Sequence, residues 1–210
     1  MKKIKGEYYI ISILLILFIV LTMFVVKGSI DGIDEIVFNN VIKIKGTVIT
    51  EFLRVITYLA STASIIILLF ITACIFIKKK CFSDFKYVIT DVALGVILMR
   101  IIKSIVKRIR PSWKWIVQGG FSYPSGHTIS ALLLYGTIML LVNKKLTGKY
   151  RSILEVFFII MIILTGISRI YFGAHYLSDV VASFILGDII LVISSALMNK
   201  EFNSDKTKDR

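Results

Sequence analysis

Only two histidines occur in this 210-residue chain, and both stand among residues that could act on an anion. His127 closes the tetrapeptide PSGH that starts at Pro124, just ahead of a long apolar run. Pro124 suits the start of a helix, Ser125 can cap one, and Gly126 lets the backbone come close to a ligand. The first turn of such a helix gathers unpaired N–H groups and the positive end of the dipole, which favour negative charge. His175 stands four residues before Asp179 in SRIYFGAHYLSD, residues 168–179. If both lie on one helix face, the carboxylate can hold the imidazole in one tautomer, free the other ring nitrogen as a nucleophile and stabilise the cation formed on attack. Arg169, in the same stretch, offers a planar fork of donors suited to phosphate oxygens.

A third cluster is basic: RIIKSIVKRIRP, residues 100–111. Lys103 and Arg110 are seven apart, so a continuous helix would bring them within about 20° of one another with Lys107 between. Pro111 predicts that this helix ends near Arg110. Each cluster alone also has an ordinary structural reading. A basic helix end can snorkel to headgroups, PSGH can be a cap with an interfacial histidine, and Asp179 can simply cap a helix.

The elements that must carry these residues are apolar. With 57% hydrophobic residues and two prolines, the chain is too apolar for an ordinary soluble domain of its size. Six runs, at 8–26, 55–77, 87–106, 125–142, 152–168 and 179–198, approach the roughly 20 helical residues that cross about 30 Å of hydrocarbon. The expected fold is therefore all-α, an integral membrane bundle of six transmembrane helices. The N-terminus has the basic start of a signal peptide but no A-x-A-like cleavage site follows, so it is read as the first span. No repeat or linker divides the chain, which reads as one domain over 1–210: an N-terminal helix and outer loop at 1–54, core motifs at 87–198 and a short polar tail at 199–210.

Charge orients the bundle. Lys2, Lys3 and Lys5, then Lys78 to Lys80 with Lys86, then Lys144, Lys145, Lys149 and Arg151, then Lys200, Lys206, Lys208 and Arg210 fall at alternate ends of the spans. The positive-inside rule makes both termini cytoplasmic. Most of the net charge of +13 is absorbed in this way, which argues against nucleic acid as a partner. The exception is the basic cluster at 103–114, and parity puts it on the outer face with the two histidine clusters. Cys74 and Cys81 face the reducing side in spacing that suits neither a metal nor a disulfide. Segment 31–54 is too polar to span and reads as a short helix at the outer interface, with Asp31, Asp34 and Glu35 as solvated loop residues rather than metal ligands. Asp91, Arg100 and Asp188 lie within spans and are expected to face the bundle interior or a partner. Small residues in the last three spans, Gly136 and Gly187 among them, are expected at close helix contacts.

In this order and spacing the three clusters resemble the signature of the type-2 phosphatidic acid phosphatase family: K-x6-R-P, then P-S-G-H, then S-R-x5-H-x3-D. They stand here as KSIVKRIRP from Lys103, PSGH from Pro124 and SRIYFGAHYLSD from Ser168. The resemblance covers about 87–198 and implies a vanadium haloperoxidase/acid phosphatase-like core. It implies hydrolysis of lipid phosphates or diphosphates at the outer membrane face, through a phosphohistidine and with no metal or other cofactor. His175 would attack phosphorus, oriented by Asp179. His127 would protonate the leaving oxygen and then activate water. Lys103, Arg110 and Arg169, with Ser125 and the Gly126 N–H, would surround the phosphoryl oxygens. Undecaprenyl diphosphate, phosphatidylglycerol phosphate and phosphatidic acid are the candidate substrates, with Trp113, Trp115, Tyr171 and Tyr176 at the membrane interface beside the site. Two other readings stand beside this one: a protein that binds or moves an anionic lipid without hydrolysing it, and a vanadate-dependent oxidase on the same scaffold.

Overall fold

The computed structural model describes residues 2–44, 46–112, 116 and 118–208, with side chains described between 6 and 201. Trp113 and Trp115 lie outside the described residues. Eight α-helices follow one another: α1 (Lys2–Val26), α2 (Asp31–Val41), α3 (Thr47–Leu59), α4 (Thr62–Lys78), α5 (Phe82–Val106), α6 (Gly126–Lys145), α7 (Lys149–Tyr171) and α8 (Leu177–Lys208). A short 3-10 turn, Ile42–Ile44, follows α2. Among the described residues there is no strand.

Among the described residues, four helices are long and apolar enough to cross a membrane: Gly6–Val26, Gly126–Lys145, Lys149–Tyr171 and Leu177–Glu201. The pair α3 and α4, bent by 56°, makes a fifth if it is one span. Length and composition thus support four or five spans where six were expected. The shortfall is α5, whose 25 residues include Asp84, Lys86, Asp91, Arg100 and Lys103. The expected run at 55–77 is also broken. Helix α3 stops at Leu59, and Ser61 starts α4 afresh, its hydroxyl accepting from the Ser64 N–H at 3.2 Å. Residues 47–54, expected in an outer loop, form the first half of α3, which packs on α7. Its Thr57 hydroxyl donates to Ser168 Oγ at 2.6 Å, and Leu53 is buried with Tyr171 and Phe172.

Helix α6 is the centre of the bundle, with Ile129, Ala131, Leu133 and Leu134 fully buried and neighbours on several sides. Lipid tails are as apolar as leucine, so close packing rather than water exclusion must hold such helices together. Glycine provides the approach. A Cβ at Gly136 would lie 2.6 Å from Leu191 Cδ1, and one at Gly187 would lie 2.3 Å from Leu132 Cδ2. Asp91, buried between α5 and α6, accepts from the Thr137 hydroxyl at 2.7 Å, the expected partnered arrangement. Asp188 departs from expectation, being exposed on α8.

Helices α5 and α7 finish at the same end of the bundle at which α6 and α8 begin. Helix α1 lies along α8, and its Thr22 hydroxyl meets the Tyr123 hydroxyl at 2.7 Å, which brings α2 to that end as well. The opposite end carries the lysine pairs Lys86 with Glu201, at 2.6 Å, and Lys145 with Asp84.

Candidate active site

The basic cluster does not continue as a helix. Lys107 takes a left-handed backbone, φ 51°, and ends α5 at Val106 with its N–H on the Lys103 carbonyl at 3.0 Å. Lys107 points out to solvent and Arg110 comes in from the loop, so the expected row of three cations on one helix face is not formed. Lys103 and Arg110 converge in another way, both donating to the backbone that leads into α6. Lys103 Nζ bonds the carbonyls of Phe121 at 2.6 Å and Ser122 at 2.9 Å. Arg110 Nε bonds those of Gly119 at 3.1 Å and Gly120 at 3.0 Å, and its Nη1 bonds that of Ala174 at 2.7 Å. Neutral carbonyls fix the positions of these cations without cancelling their charge.

Arg110 Nη1 also lies 3.1 Å from His175 Nε2. A guanidinium can only donate, so Nε2 must be the accepting nitrogen and the proton must sit on Nδ1. Nδ1 in turn faces Asp179 Oδ2 at 3.3 Å. The two side chains meet although His175 lies ahead of α8, which begins at Leu177, rather than on one helix face with Asp179 as expected, and the nitrogen carrying the lone pair is the one turned toward the cations. His175 is 2% exposed and Asp179 is fully buried. Burial pushes the imidazole down to about 3; the hydrogen bond to Asp179 and its negative charge oppose this, while the Arg169 and Lys103 charges add to it. The ring is therefore neutral at ordinary pH. Burial also lowers Arg110, with Asp179 partly offsetting it.

Arg169, in the last turn of α7, is 1% exposed. Its Nη2 donates to Gln118 Oε1 and its Nη1 reaches Thr57 Oγ1 at 3.5 Å, but Nε is buried without a partner. A buried guanidinium with an orphan N–H lacks an acceptor, and buried donors are rarely left so. His127 occupies the first turn of α6, and no carboxylate partners it among the described residues. Ser125 is fully buried behind it. Its hydroxyl accepts from Thr128 Oγ1 at 2.9 Å rather than from a backbone N–H, its own N–H donates to the Asp179 carbonyl at 3.2 Å, and its carbonyl accepts from Ser183 Oγ at 3.0 Å. These bonds lace the start of α6 to the start of α8. At Gly126 a Cβ would lie 3.3 Å from Met99 Cε.

Lys103, Arg110, Gly126, His127 and His175 line one cavity of about 490 Å³. Its other wall, from α4 and α5, is apolar with Arg100 at its edge. His127 and Arg169 line an adjoining cavity of about 700 Å³, with Arg54, Thr57 and Gln118. The three clusters of the sequence therefore do meet. Residues 84–203 match the PAP2 superfamily. The chain belongs to that superfamily. It is similar to phosphatidylglycerophosphatase B of Bacillus subtilis, 24% identical over 184 residues that make up 86% of this chain and 90% of the other. Among solved structures it resembles a transmembrane PAP2 type phosphatidylglycerolphosphate phosphatase from Bacillus subtilis, with a TM-score of 0.84 and 24% identity, covering 91% of this chain and 97% of that one. Aquifex aeolicus LpxE matches with a TM-score of 0.62 and 24% identity over 75% of this chain and 92% of its own.

Beyond its signature, this PAP2 chain has polar residues at the site that the sequence misplaces. Asp34, expected in a solvated loop, is 2% exposed in α2 and pairs with Arg108 at 2.8 Å. Arg108, one of several basic residues in the cluster at 103–114, also reaches Asp31 at 2.8 Å and Asp179 at 2.9 Å. Burial disfavours its charge, but the carboxylates of Asp179 and Asp34 outweigh that and leave it more firmly charged than an ordinary arginine. The tyrosines expected at the membrane interface are otherwise employed. Tyr171 is 2% exposed with its hydroxyl 2.7 Å from Thr50 Oγ1, and the Tyr176 ring lies under the Arg108 guanidinium at 3.9 Å. The available signal was modest: an aspartate one turn into a weakly amphipathic segment, and a second arginine two residues before Arg110.

Proposed function

We propose that the protein hydrolyses the phosphate or diphosphate group of a membrane lipid at the extracytoplasmic face, through a phosphohistidine and without a metal. The observation that carries this reading is a neutral His175 whose lone pair faces Arg110, in a pocket with Lys103 that adjoins the cavity of Arg169 and has no carboxylate on its wall among the described residues. Such a pocket attracts a phosphoryl group and neutralises the charge on its oxygens, the main task in phosphoryl transfer.

In the first step His175 Nε2 forms a bond to phosphorus while the bond to the lipid oxygen breaks, and His127 gives that oxygen its proton. The Nδ1–H donates to Asp179, whose charge stabilises the imidazolium. In the second step His127 takes a proton from water as the water oxygen attacks phosphorus, phosphate leaves, and His175 returns to neutrality. Lys103, Arg110 and Arg169, with Ser125 and the Gly126 N–H, hold the phosphoryl oxygens throughout. Arg110, in contact with Nε2, would turn that N–H toward a phosphoryl oxygen on binding.

The apolar wall of α4 and α5 supports a lipid rather than a soluble ester, since tails can stay in the bilayer while the headgroup reaches the cations. Helix α5 then counts as a span, with Lys103 near its outer end, and the bent α3 and α4 as another, which makes six. The lysines at the far end, Lys78 to Lys80, Lys144, Lys145 and Lys200, support cytoplasmic termini. The whole chain would act as one domain. The name of the Bacillus subtilis relative puts phosphatidylglycerol phosphate first among the substrates to try. The test is phosphate release by the purified protein from phosphatidylglycerol phosphate, undecaprenyl diphosphate and phosphatidic acid, each with EDTA present. At least one should be hydrolysed with acid-labile phosphate trapped on His175. Release from none of them, or a strict need for a divalent ion, overturns the reading.

A further inference from the structure

Asp179 has two oxygens with separate duties. Oδ2 faces His175 and also accepts from the Ser122 hydroxyl and from the Tyr176 N–H at 3.0 Å. Oδ1 accepts from Arg108 Nη1 at 2.9 Å. The same nitrogen donates to Ser178 Oγ at 2.6 Å, and Nη2 donates to Asp31 and Asp34, each at 2.8 Å. Asp34 completes the link by accepting from the Ser178 N–H at 2.9 Å and from its hydroxyl at 2.5 Å. The main chain of Arg108 takes part too, because its carbonyl accepts the Ser122 N–H at 2.8 Å. Arg108 thus grips Asp179 at one oxygen directly and at the other through Ser122.

We infer that Arg108 and Asp34 are positioning residues for catalysis, a buried clamp that reaches from the outer helix α2 to Asp179 and keeps its Oδ2 aimed at His175 Nδ1. The inference rests on the proposed role of the His175 and Asp179 pair. Asp31 and Asp34 lie before residue 84, where the match to the PAP2 superfamily begins, so a part of the site is supplied by chain outside that segment. The physical need is clear. Asp34 and Asp179 are both buried and both accept from the Arg108 guanidinium, and two buried carboxylates so placed repel unless a cation lies between them. With Arg108 in place, Asp179 can neither swing its carboxylate away from His175 nor lose its charge. The exposed partner, Asp31, with 62% of its side chain accessible, adds less.

A bare structural role, fastening α2 to the bundle, makes a different forecast from a positioning role. Because the chain has two histidines, ring 15N resonances of labelled protein report each imidazole separately, with His127→Gln supplying the assignment. The charged and titratable groups facing His175 are Asp179, Arg169 and Lys103, with Arg110 and His127, and none of them is altered by the Arg108, Asp34 or Glu35 variants. In the full-length protein, Arg108→Gln should lower kcat by about 10- to 100-fold, the usual worth of a partner that orients a reacting group, with KM changed much less. It should also mix the His175 tautomers and raise the pH at which the ring titrates, since a cation is lost. Asp34→Asn keeps the volume but removes an anion, so it should lower kcat less and move the titration the opposite way. Arg108→Lys should recover part of the loss, and Glu35→Gln, an exposed neighbour on α2, should behave as wild type.

If Arg108→Gln does not fold, Asp34→Asn and Arg108→Lys carry the test alone. Wild-type kcat and an unmoved His175 tautomer in folded variants overturn the inference. So does an equal loss of activity at every pH with an unchanged tautomer, which is what a purely structural role gives. Failure of the wild-type protein to release phosphate from any lipid of the panel is a different result and strikes the proposed function instead.

Discussion

Replacing Asp179 with asparagine isolates a charge while keeping the shape. The Oδ2 position receives three donors, from Ser122, Tyr176 and His175, and the Oδ1 position receives Arg108. An amide has only one oxygen, and it should settle where three donors converge, which turns the NH2 toward Arg108. His175 then keeps a hydrogen-bond acceptor at Nδ1 and loses the negative charge behind it. The ring is neutral before attack and carries a charge only once Nε2 has begun to bond phosphorus, so the lost attraction belongs to the transition state and intermediate. With the charges about 4 Å apart and an effective dielectric of about 20, that attraction is about 4 kcal/mol. At about 1.36 kcal/mol per decade it corresponds to roughly a thousandfold. It should fall on kcat, with KM nearly unchanged. Rapid-quench trapping of labelled phosphohistidine on whichever lipid the wild-type protein hydrolyses gives the rate of the first step directly, and a thermal unfolding scan checks that the variant is folded. A loss smaller than tenfold, or one seen entirely in KM, refutes the assignment of Asp179 as the stabiliser of the His175 cation.

Three further outcomes are expected. Arg169→Lys keeps one charge but loses the planar fork that reaches Gln118 and Thr57; with charge-assisted hydrogen bonds worth about 1.5–3 kcal/mol each, kcat/KM should drop by at least about tenfold in a steady-state assay. Gly136→Ala places a Cβ 2.6 Å from Leu191 Cδ1 and should destabilise the bundle by about 1–3 kcal/mol, lowering the thermal midpoint in detergent while kcat per folded molecule is unchanged. For pH, the unfolded chain binds a proton on His175 below about 6.5, whereas the folded chain does so only near about 3. The unfolded state therefore holds more protons between those values, and stability should fall as pH is lowered through that window. Denaturant midpoints measured from pH 7 to pH 4 should decline more steeply in wild type than in His175→Gln, and equal slopes contradict the burial of a neutral ring.

The histidine pair, the PSGH turn and Arg169 were legible because their chemistry is local. His175 meets Asp179 across the start of α8, which begins only at Leu177, so the contact forms without the shared helix face that was expected, and a helix start fixes where His127 stands. Arg110 reaches His175, but not along the helix face expected to carry it, since that helix stops at Lys107, whose left-handed backbone no residue type there announces. The α3 and α4 break is similar: Ser61 is an adequate cap, but nothing in an unbroken apolar run says that the cap will be used. What the sequence hid altogether is long-range. Asp34 lies 144 positions before Ser178, and its burial depends on an arginine brought to it by three other segments. Aspartates in a polar loop look solvated until the fold supplies their counter-charge.

The site meets two demands that conflict if the charges are simply pooled. Phosphate requires unneutralised cations, while an imidazole that becomes charged requires a carboxylate close by. A carboxylate free to turn into the pocket would pair with Lys103 or Arg110 and repel the substrate. The fold separates the two by the thickness of the His175 ring. In front of it the cations rest on neutral carbonyls of residues 119–122 and 174, so their charge stays available. Behind it Asp179 is committed to Arg108, and Asp34 to the same guanidinium. The imidazole touches both sides, with Nε2 toward the cations and Nδ1 toward the carboxylate. In the proposed reaction, the positive charge that His175 gains on attacking phosphorus would be met at once by Asp179, and no second carboxylate would need to enter the pocket to do so.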